Sequence, residues 1–365
     1  MKILVINPGS TSTKIAIFQS EICVFQKSIR HPDDELGMFS TVVDQLAYRI
    51  EAVLKTMAES GYNMADLTVI AARGGLLRPI EGGTYLIDRE MCSDLEECRY
   101  GEHASNLGPL IANCLAERYG LKAYTVDPVS VDEFHNLARF SGLPELPRVS
   151  KSHALNMRAV AREAAAVKGV PVNRINLVVA HLGSGISVAA FVGGKMVDVN
   201  NANNEGPFSM ERCGGLPSLD LVELCFSGRY KHNELAAKLI KTGGIFAYLG
   251  TRDLSRVEVM ASGGDHKAQQ AVKAMCYQVA KEIGAMSTVM HGAVDNIVLT
   301  GGMAHSSLVV NDISSRVSSI AEVLVIPGEK EMEALAMGVL RVLTGKEKFK
   351  YYSNGGDTVR GEQND

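Results

Sequence analysis

Three short turns in this 365-residue chain bring glycine together with polar residues directly after apolar runs. They are Asn7-Pro8-Gly9-Ser10-Thr11-Ser12-Thr13-Lys14, His181-Leu182-Gly183-Ser184-Gly185 and Leu299-Thr300-Gly301-Gly302-Met303. The chemistry open to such turns is anion binding. Glycine lets the backbone approach a phosphate closely, Ser10, Thr11 and Ser12 offer hydroxyl and amide donors, and Lys14 adds positive charge. None is a Walker loop, because GxxxxGK[ST] is absent. Taken singly, each is an ordinary polar turn that ends a strand. Three together suit an anionic ligand held between two domains.

Turns of this kind need strands to carry them. Residues 3–6, 14–18, 67–72, 123–126, 177–180, 188–192, 296–300 and 323–326 are short, rich in Val and Ile, and bounded by Gly, Pro or Asn, which predicts strands. Between them lie helical patterns. In 266–291, Val272, Met275, Cys276, Val279, Ile283 and Met286 recur every three or four residues. A helix is also expected over 153–168 with Ser152 as its N-cap and Gly169 as its stop, and another over 331–343 ended by Gly345. Alternating strands and helices indicate an α/β fold.

The chain also echoes itself. Residues 5–18 and 179–191 share the layout strand, polar glycine turn, strand, with Gly9 over Gly183, Ser10 over Ser184 and Ala16 over Ala190. This predicts a duplication with its boundary near residues 147–151, giving domains 1–150 and 151–350. The last helix is placed back on the first domain, and 351–365 is expected to be a flexible tail.

Composition excludes several classes. With 46% hydrophobic and 21% charged residues, each half can bury a core. A net charge of −4 with no basic block argues against a nucleic-acid partner. No stretch is long and apolar enough for a membrane span, and the start is too short for a signal peptide. Seven scattered cysteines without a CxxC pair fit reduced thiols in a cytoplasm, and without HExxH a zinc hydrolase has no support.

The three turns together resemble the phosphate and nucleotide motifs of the acetokinase family, the acetate and butyrate kinases, within the sugar kinase, heat-shock ATPase and actin superfamily. The resemblance runs from about residue 3 to 345. Ser152-His153-Ala154-Leu155-Asn156, Glu205-Gly206-Pro207-Phe208-Ser209 and Gly101-Glu102-His103-Ala104-Ser105-Asn106 are nearer the butyrate kinase branch. It implies two duplicated ribonuclease H-like domains, the actin-like ATPase fold, with an interdomain cleft. It implies ATP and ADP as nucleotides, Mg²⁺ as cofactor, a small carboxylate as acceptor, and a homodimer or higher homo-oligomer. The expected reaction is reversible, in-line phosphorylation of butyrate to butyryl phosphate, or of acetate, propionate, isobutyrate or a branched acid.

A carboxylate is already ionised at neutral pH, so no general base is needed. The work is to bring two anions together and stabilise charge on the transferring group. Arg73 follows an apolar strand before Gly74-Gly75, and Arg212 stands beside Gly214-Gly215. A planar guanidinium holds carboxylate or phosphoryl oxygens in pairs, although an arginine taken at random is more often a surface ion pair. The resemblance assigns Arg73 and Arg212 to the family's active-site arginines, with Arg78 close to the first. His153 and His181 resemble its phosphoryl-contacting histidines, while a second histidine of acetate kinases is Met157 here. Asp127 resembles the active-site aspartate, Asn7 the residue touching the phosphoryl group, and Glu331 the Mg²⁺ ligand, with Glu333 next to it as the alternative. Nucleotide contacts fall to Ser10, Thr11, Ser12, Lys14, Gly183, Ser184, Gly185, Gly301 and Gly302, with Arg252 or Asp253 reaching the ribose. A sugar or polyol kinase would instead need an aspartate base, and a nucleotide-gated scaffold would need a partner-binding segment.

Overall fold

The computed structural model of the protein describes residues 1–353. These form two compact units: Met1–Val131 with the segment that starts at Lys330, and Asp132–Glu329. The first carries a seven-stranded sheet from β1 (Lys2–Pro8), β2 (Ser12–Gln19), β3 (Ile22–Arg30), β4 (Val69–Arg73), β5 (Thr84–Leu86), β6 (Lys122–Val126) and, out of chain order, Lys350–Tyr351 at its edge, in the order Lys350–Tyr351, β5, β6, β4, β1, β2, β3. The second carries β7 (Asn176–Leu182), β8 (Ile186–Val192), β9 (Lys195–Val199), β10 (Asn296–Gly301) and β11 (Glu322–Pro327), in the order β11, β10, β7, β8, β9.

The duplication is explicit in the pairing. β1 pairs antiparallel with β2 and parallel with β4; β7 pairs antiparallel with β8 and parallel with β10. β3 and β9 extend one edge antiparallel, and β6 and β11 continue the other in parallel. This is the duplicated ribonuclease H-like fold. One detail of the echo is corrected. Val5 pairs with Ala16 and Val179 with Ala189, so Ala189 rather than Ala190 is the counterpart of Ala16. The second turn is one residue shorter, and the offset changes across it.

Strand alternation decides which side chains reach the site. In the first unit Leu4, Ile6, Ile70 and Ala72 pack on one face with Val53 and Met57 of the helix Leu46–Glu59 and Leu107, Leu110 and Ile111 of the helix Leu107–Tyr119. Ile3, Val5 and Asn7 therefore take the opposite face, where the helix Glu331–Leu343 packs on β1, β4 and β6. The second unit repeats the scheme. Val178, Ala180 and Leu182 join Val272, Met275 and Val279 of the helix His266–Thr288. Leu177, Val179 and His181 take the other face, and the helix Ala154–Val167 packs on β7 and β10.

Several expectations change in the structure. The first unit ends at Val131, earlier than residue 150, while the closing helix packs on its sheet, where the sequence places it. Ser152 does not cap the following helix: that helix begins at Ala154 with His153 at the cap position, and Ser152 Oγ instead lies 3.7 Å from Met196 Sδ. A tail starting at 351 is also corrected. Lys350–Tyr351 pairs with β5, and Tyr352 is fully buried, its hydroxyl donating to Asp94 Oδ2 at 2.7 Å. Residues 354–365 lie outside the described residues.

Candidate active site

In the first unit, three site residues meet where parallel strands end. Asn7 lies near the end of β1, Arg73 ends β4, and Glu331 opens the helix Glu331–Leu343. Asn7 Nδ2 donates to Glu331 Oε2 at 2.8 Å, and Arg73 Nη1 donates to the same oxygen at 3.2 Å. Both bonds fall on Oε2, so Oε1 has no bonded partner among the described residues. The Arg73 side chain is 33% exposed and that of Glu331 19%, so the pair remains open to a ligand. Glu333 is exposed and takes no part in this cluster. Arg78 is used elsewhere: it stacks 4.1 Å above the Tyr352 ring and pairs with Glu90 at 2.8 Å.

Asp127 follows β6, the neighbour of β4, in a left-handed conformation with φ 40°. Its carboxylate is buried and accepts from Gly83 N at 2.7 Å, while its own N–H donates to Gly83 O at 3.0 Å. The first turn is tight, Gly9 N donating to Ser12 O at 2.7 Å. Ser10 and Thr11 are exposed on it, and Ser12 is half-buried. Lys14 is exposed and pairs directly with Asn7 across the ladder, which puts both side chains on one face.

The second unit places its site residues at the matching strand end. The His153 and His181 rings stack with centroids 4.0 Å apart and planes 12° from parallel. His153 Nδ1 lies 3.0 Å from Ser187 Oγ. His181 is 1% exposed, and its Nδ1 lies 2.9 Å from Asn156 Nδ2. Its Nε2 is buried without a hydrogen-bond partner among the described residues, with Glu329 Oε1 3.6 Å away. A buried, unpaired ring nitrogen is costly and marks a place where a ligand oxygen would complete the site.

Arg212 lies against the second turn. A Cβ at Gly185 would stand 2.6 Å from Arg212 Cζ, so only glycine admits the guanidinium there. Burial pulls the Arg212 pKa down, against Glu211, which raises it. Among the described residues no carboxylate is bonded to this guanidinium. The turn is fixed from the same side: Ser209 Oγ donates to Ser184 O, and Arg212 N donates to Ser209 Oγ at 3.2 Å. Gly183 N donates to Gly185 O at 3.2 Å.

The third turn is shaped by Gly301, with φ 88° and no room for a side chain: a Cβ would lie 2.8 Å from the carbonyl carbon of Leu182. Gly302 is exposed with open space around it. A cavity of about 730 Å³ lies among the helices Leu254–Ser262, His266–Thr288 and Ser307–Val317, lined by Ser255, Glu258, Val272, Lys273, Leu308 and Asp312. Arg252 and Asp253 do not line it. Arg252 pairs with Glu211 at 3.0 Å, and Asp253 caps a helix by accepting from Ser255 N.

Sequence reasoning passed over Asn156, Ser187 and Ser209 as working residues. The first was findable: it lies three residues after His153 at a helix start, hence on the same face. Among the described residues no three His, Cys, Asp or Glu side chains gather as a metal site. Mg²⁺ in phosphoryl-transfer sites is held by one or two carboxylates with nucleotide phosphates and water. The single carboxylate Glu331, with Oε1 available, fits that donor set.

Residues 148–339 match the model of the acetokinase family. The chain is 48% identical over 352 residues to Butyrate kinase 2 of Clostridium acetobutylicum, covering 96% of this chain and 99% of that protein. It is 48% identical over 351 residues to a protein named probable butyrate kinase 2 of Caldanaerobacter subterraneus, with 96% and 99% covered. Among solved structures, acetate kinase of Porphyromonas gingivalis superposes with a TM-score of 0.76 at 18% identity, covering 93% of this chain and 98% of the other. A propionate kinase of Francisella tularensis gives 0.70 at 18%, covering 92% and 98%.

Proposed function

The chain belongs to the acetokinase family, and we propose on that footing that it transfers the γ-phosphoryl group of ATP to butyrate, giving butyryl phosphate, in a reversible in-line reaction. The observation that carries this reading is the near-full-length likeness to Butyrate kinase 2 of Clostridium acetobutylicum. The geometry of each unit supports it.

In the first unit, Arg73 and Asn7 are the donors offered to anionic oxygens, both oriented by Glu331 Oε2. Ser10, Thr11, Ser12 and Lys14 are assigned to the nucleotide phosphates. Glu331 would hold Mg²⁺ through Oε1, directly or through water. Bound Mg²⁺ neutralises charge on the phosphates and the transferring group. Asp127 is assigned to positioning, because its carboxylate is buried on Gly83.

In the second unit, Arg212 carries a guanidinium that is bonded to no acid among the described residues, suited to the charge that spreads over the phosphoryl oxygens. In its neutral form His181 offers an Nε2–H, and His153 stacks on it and is tied by Ser187. Gly183, Ser184, Gly185, Gly301 and Gly302 are assigned to the nucleotide, with adenosine in the cavity beside the helix Ser307–Val317. The protein works as a homodimer or higher homo-oligomer in this reading.

No step here needs a base, which sets this site apart from one for a hydroxyl acceptor. Hydroxamate trapping of acyl phosphate from purified protein, ATP, Mg²⁺ and a series of short acids tests the proposal. Butyrate should give the highest kcat/KM of the series. Absence of product from every acid would sink it. Arg212→Ala should lower kcat by roughly 10²–10³-fold with the fold retained; a near-normal rate removes Arg212 from the mechanism.

A further inference from the structure

Beneath the first turn lies a cation that the mechanism above does not use. Arg49, on the helix Leu46–Glu59, is fully buried. Burial alone pulls its pKa down, yet an arginine stays charged at any working pH. Among the described residues no carboxylate is bonded to it. Its donors go to neutral oxygens instead. Nη1 reaches Gly9 O at 2.8 Å, Thr13 Oγ1 at 3.1 Å and Ser12 O at 3.3 Å. Nη2 reaches Ser10 O at 3.0 Å and Gln45 Oε1 at 2.8 Å, and Nε reaches Gln45 Oε1 at 3.0 Å.

Two features separate this from an ordinary structural prop. An uncompensated buried charge is expensive, and proteins usually pair it. Here the position that could pair it, four residues earlier and already bonded to the guanidinium, carries the neutral amide of Gln45 rather than an acid. Glu35 is kept at a distance by a relay: Thr13 Oγ1 lies 2.8 Å from His31 Nε2, His31 Nδ1 lies 3.2 Å from Tyr48 OH, and Tyr48 OH donates to Glu35 Oε2 at 2.7 Å. Three carbonyls of the turn point inward at the cation, while Ser10 and Thr11 face solvent.

We propose that Arg49 is a positioning residue of the phosphate turn, holding Gly9–Ser12 in its anion-binding shape and supplying an unneutralised positive charge behind it. The inference rests on the reading of this turn as a nucleotide phosphate site. A charge held in a low-dielectric interior acts on an anion more strongly than a solvated one, and being fixed it needs no reorganisation during transfer.

Gln45→Glu separates charge from support. Glutamate accepts the same two bonds from Arg49, so a purely structural role predicts an enzyme like the wild type, with equal or higher Tm. The proposal expects the Tm to be kept, kcat to fall about tenfold or more, and ATP affinity measured by calorimetry to weaken by a similar factor, with the acid KM within about twofold. Arg49→Lys and Arg49→Met form the second comparison: the lysine variant keeps the charge without the planar fork and should retain clearly more kcat and ATP affinity than the methionine variant. Wild-type kcat and ATP affinity in folded Gln45→Glu overturn the proposal. Where Gln45→Glu does not fold, equal losses in the Lys and Met variants overturn it. A wild-type protein that makes no acyl phosphate refutes the carboxylate kinase reading instead, and the ATP affinities of the variants still decide the role of Arg49.

Discussion

Asn156 Nδ2 lies 2.9 Å from His181 Nδ1 and 3.3 Å from Thr300 Oγ1. The Thr300 hydroxyl spends its one proton on Gly328 O at 3.3 Å, so towards Asn156 it accepts. That orients the amide with its nitrogen facing both partners, makes His181 Nδ1 an acceptor, and puts the proton of the neutral ring on Nε2. Asn156→Asp should reverse this, because a carboxylate draws the proton to Nδ1 and turns a lone pair towards the anion. The expected fall in kcat is about 10²-fold for Asn156→Asp and about tenfold for Asn156→Ala. Equal rates for the two variants in the hydroxamate assay would show that the tautomer is irrelevant.

Gly185 is kept small by Arg212. In Gly185→Ala the new methyl falls on the guanidinium, whose Cζ would lie 2.6 Å from it. Backbone cost is slight, because Gly185 has no positive φ. The variant should therefore fold normally and lose roughly 10²-fold in kcat/KM by misplacing Arg212. The double variant with Arg212→Ala should be no worse than Arg212→Ala alone. Additive losses would mean that Gly185 serves the site in some other way.

Strand cores were legible in the sequence because β1, β7 and β10 are buried on both faces and read as continuous apolar runs. β3 was not, since most of Ile22–Arg30 is exposed and shows no apolar alternation. Lys350–Tyr351 was missed because two residues carry no period, and its anchor Tyr352 reaches Asp94, 258 positions away in sequence. The glycine turns were legible as local chemistry. Arg49 was not, because an arginine within a helical pattern looks the same whether it faces solvent or supports a turn some 40 residues earlier. Ser152 misled for a related reason: a serine before a helix suits a cap, but the histidine after it took that position.

Glu331 Oε2 holds Asn7 and Arg73, leaving Oε1 for the metal. Glu331→Gln can keep one acceptor for the two donors but loses the charge. The Mg²⁺ concentration for half-maximal rate should rise about tenfold or more. Mn²⁺ binding in the presence of ADP, followed by electron paramagnetic resonance, should weaken in parallel. Unchanged metal dependence would move the ligand role away from Glu331, and Glu333→Gln would then be expected to show the effect.

His31 sets an acid limit on the first unit. Burial, then the neighbouring Arg49 charge, lowers its pKa from 6.5 to about 4, with Glu35 acting in the opposite direction. The unfolded chain takes up this proton near pH 6.5, whereas the folded chain resists until about 4. Between these values the unfolded state binds more protons, so stability falls as pH falls; below about 4 the slope from this group ends. The full window corresponds to roughly 3 kcal/mol at 1.36 kcal/mol per unit. His31→Gln can still bond Thr13 and Tyr48 but has nothing to protonate. It should be somewhat less stable than wild type near neutrality and should lose about 2–3 kcal/mol less on acidification to about pH 4. Urea unfolding at several pH values measures the difference. Parallel stability curves for the two proteins would mean that His31 is not the group that titrates.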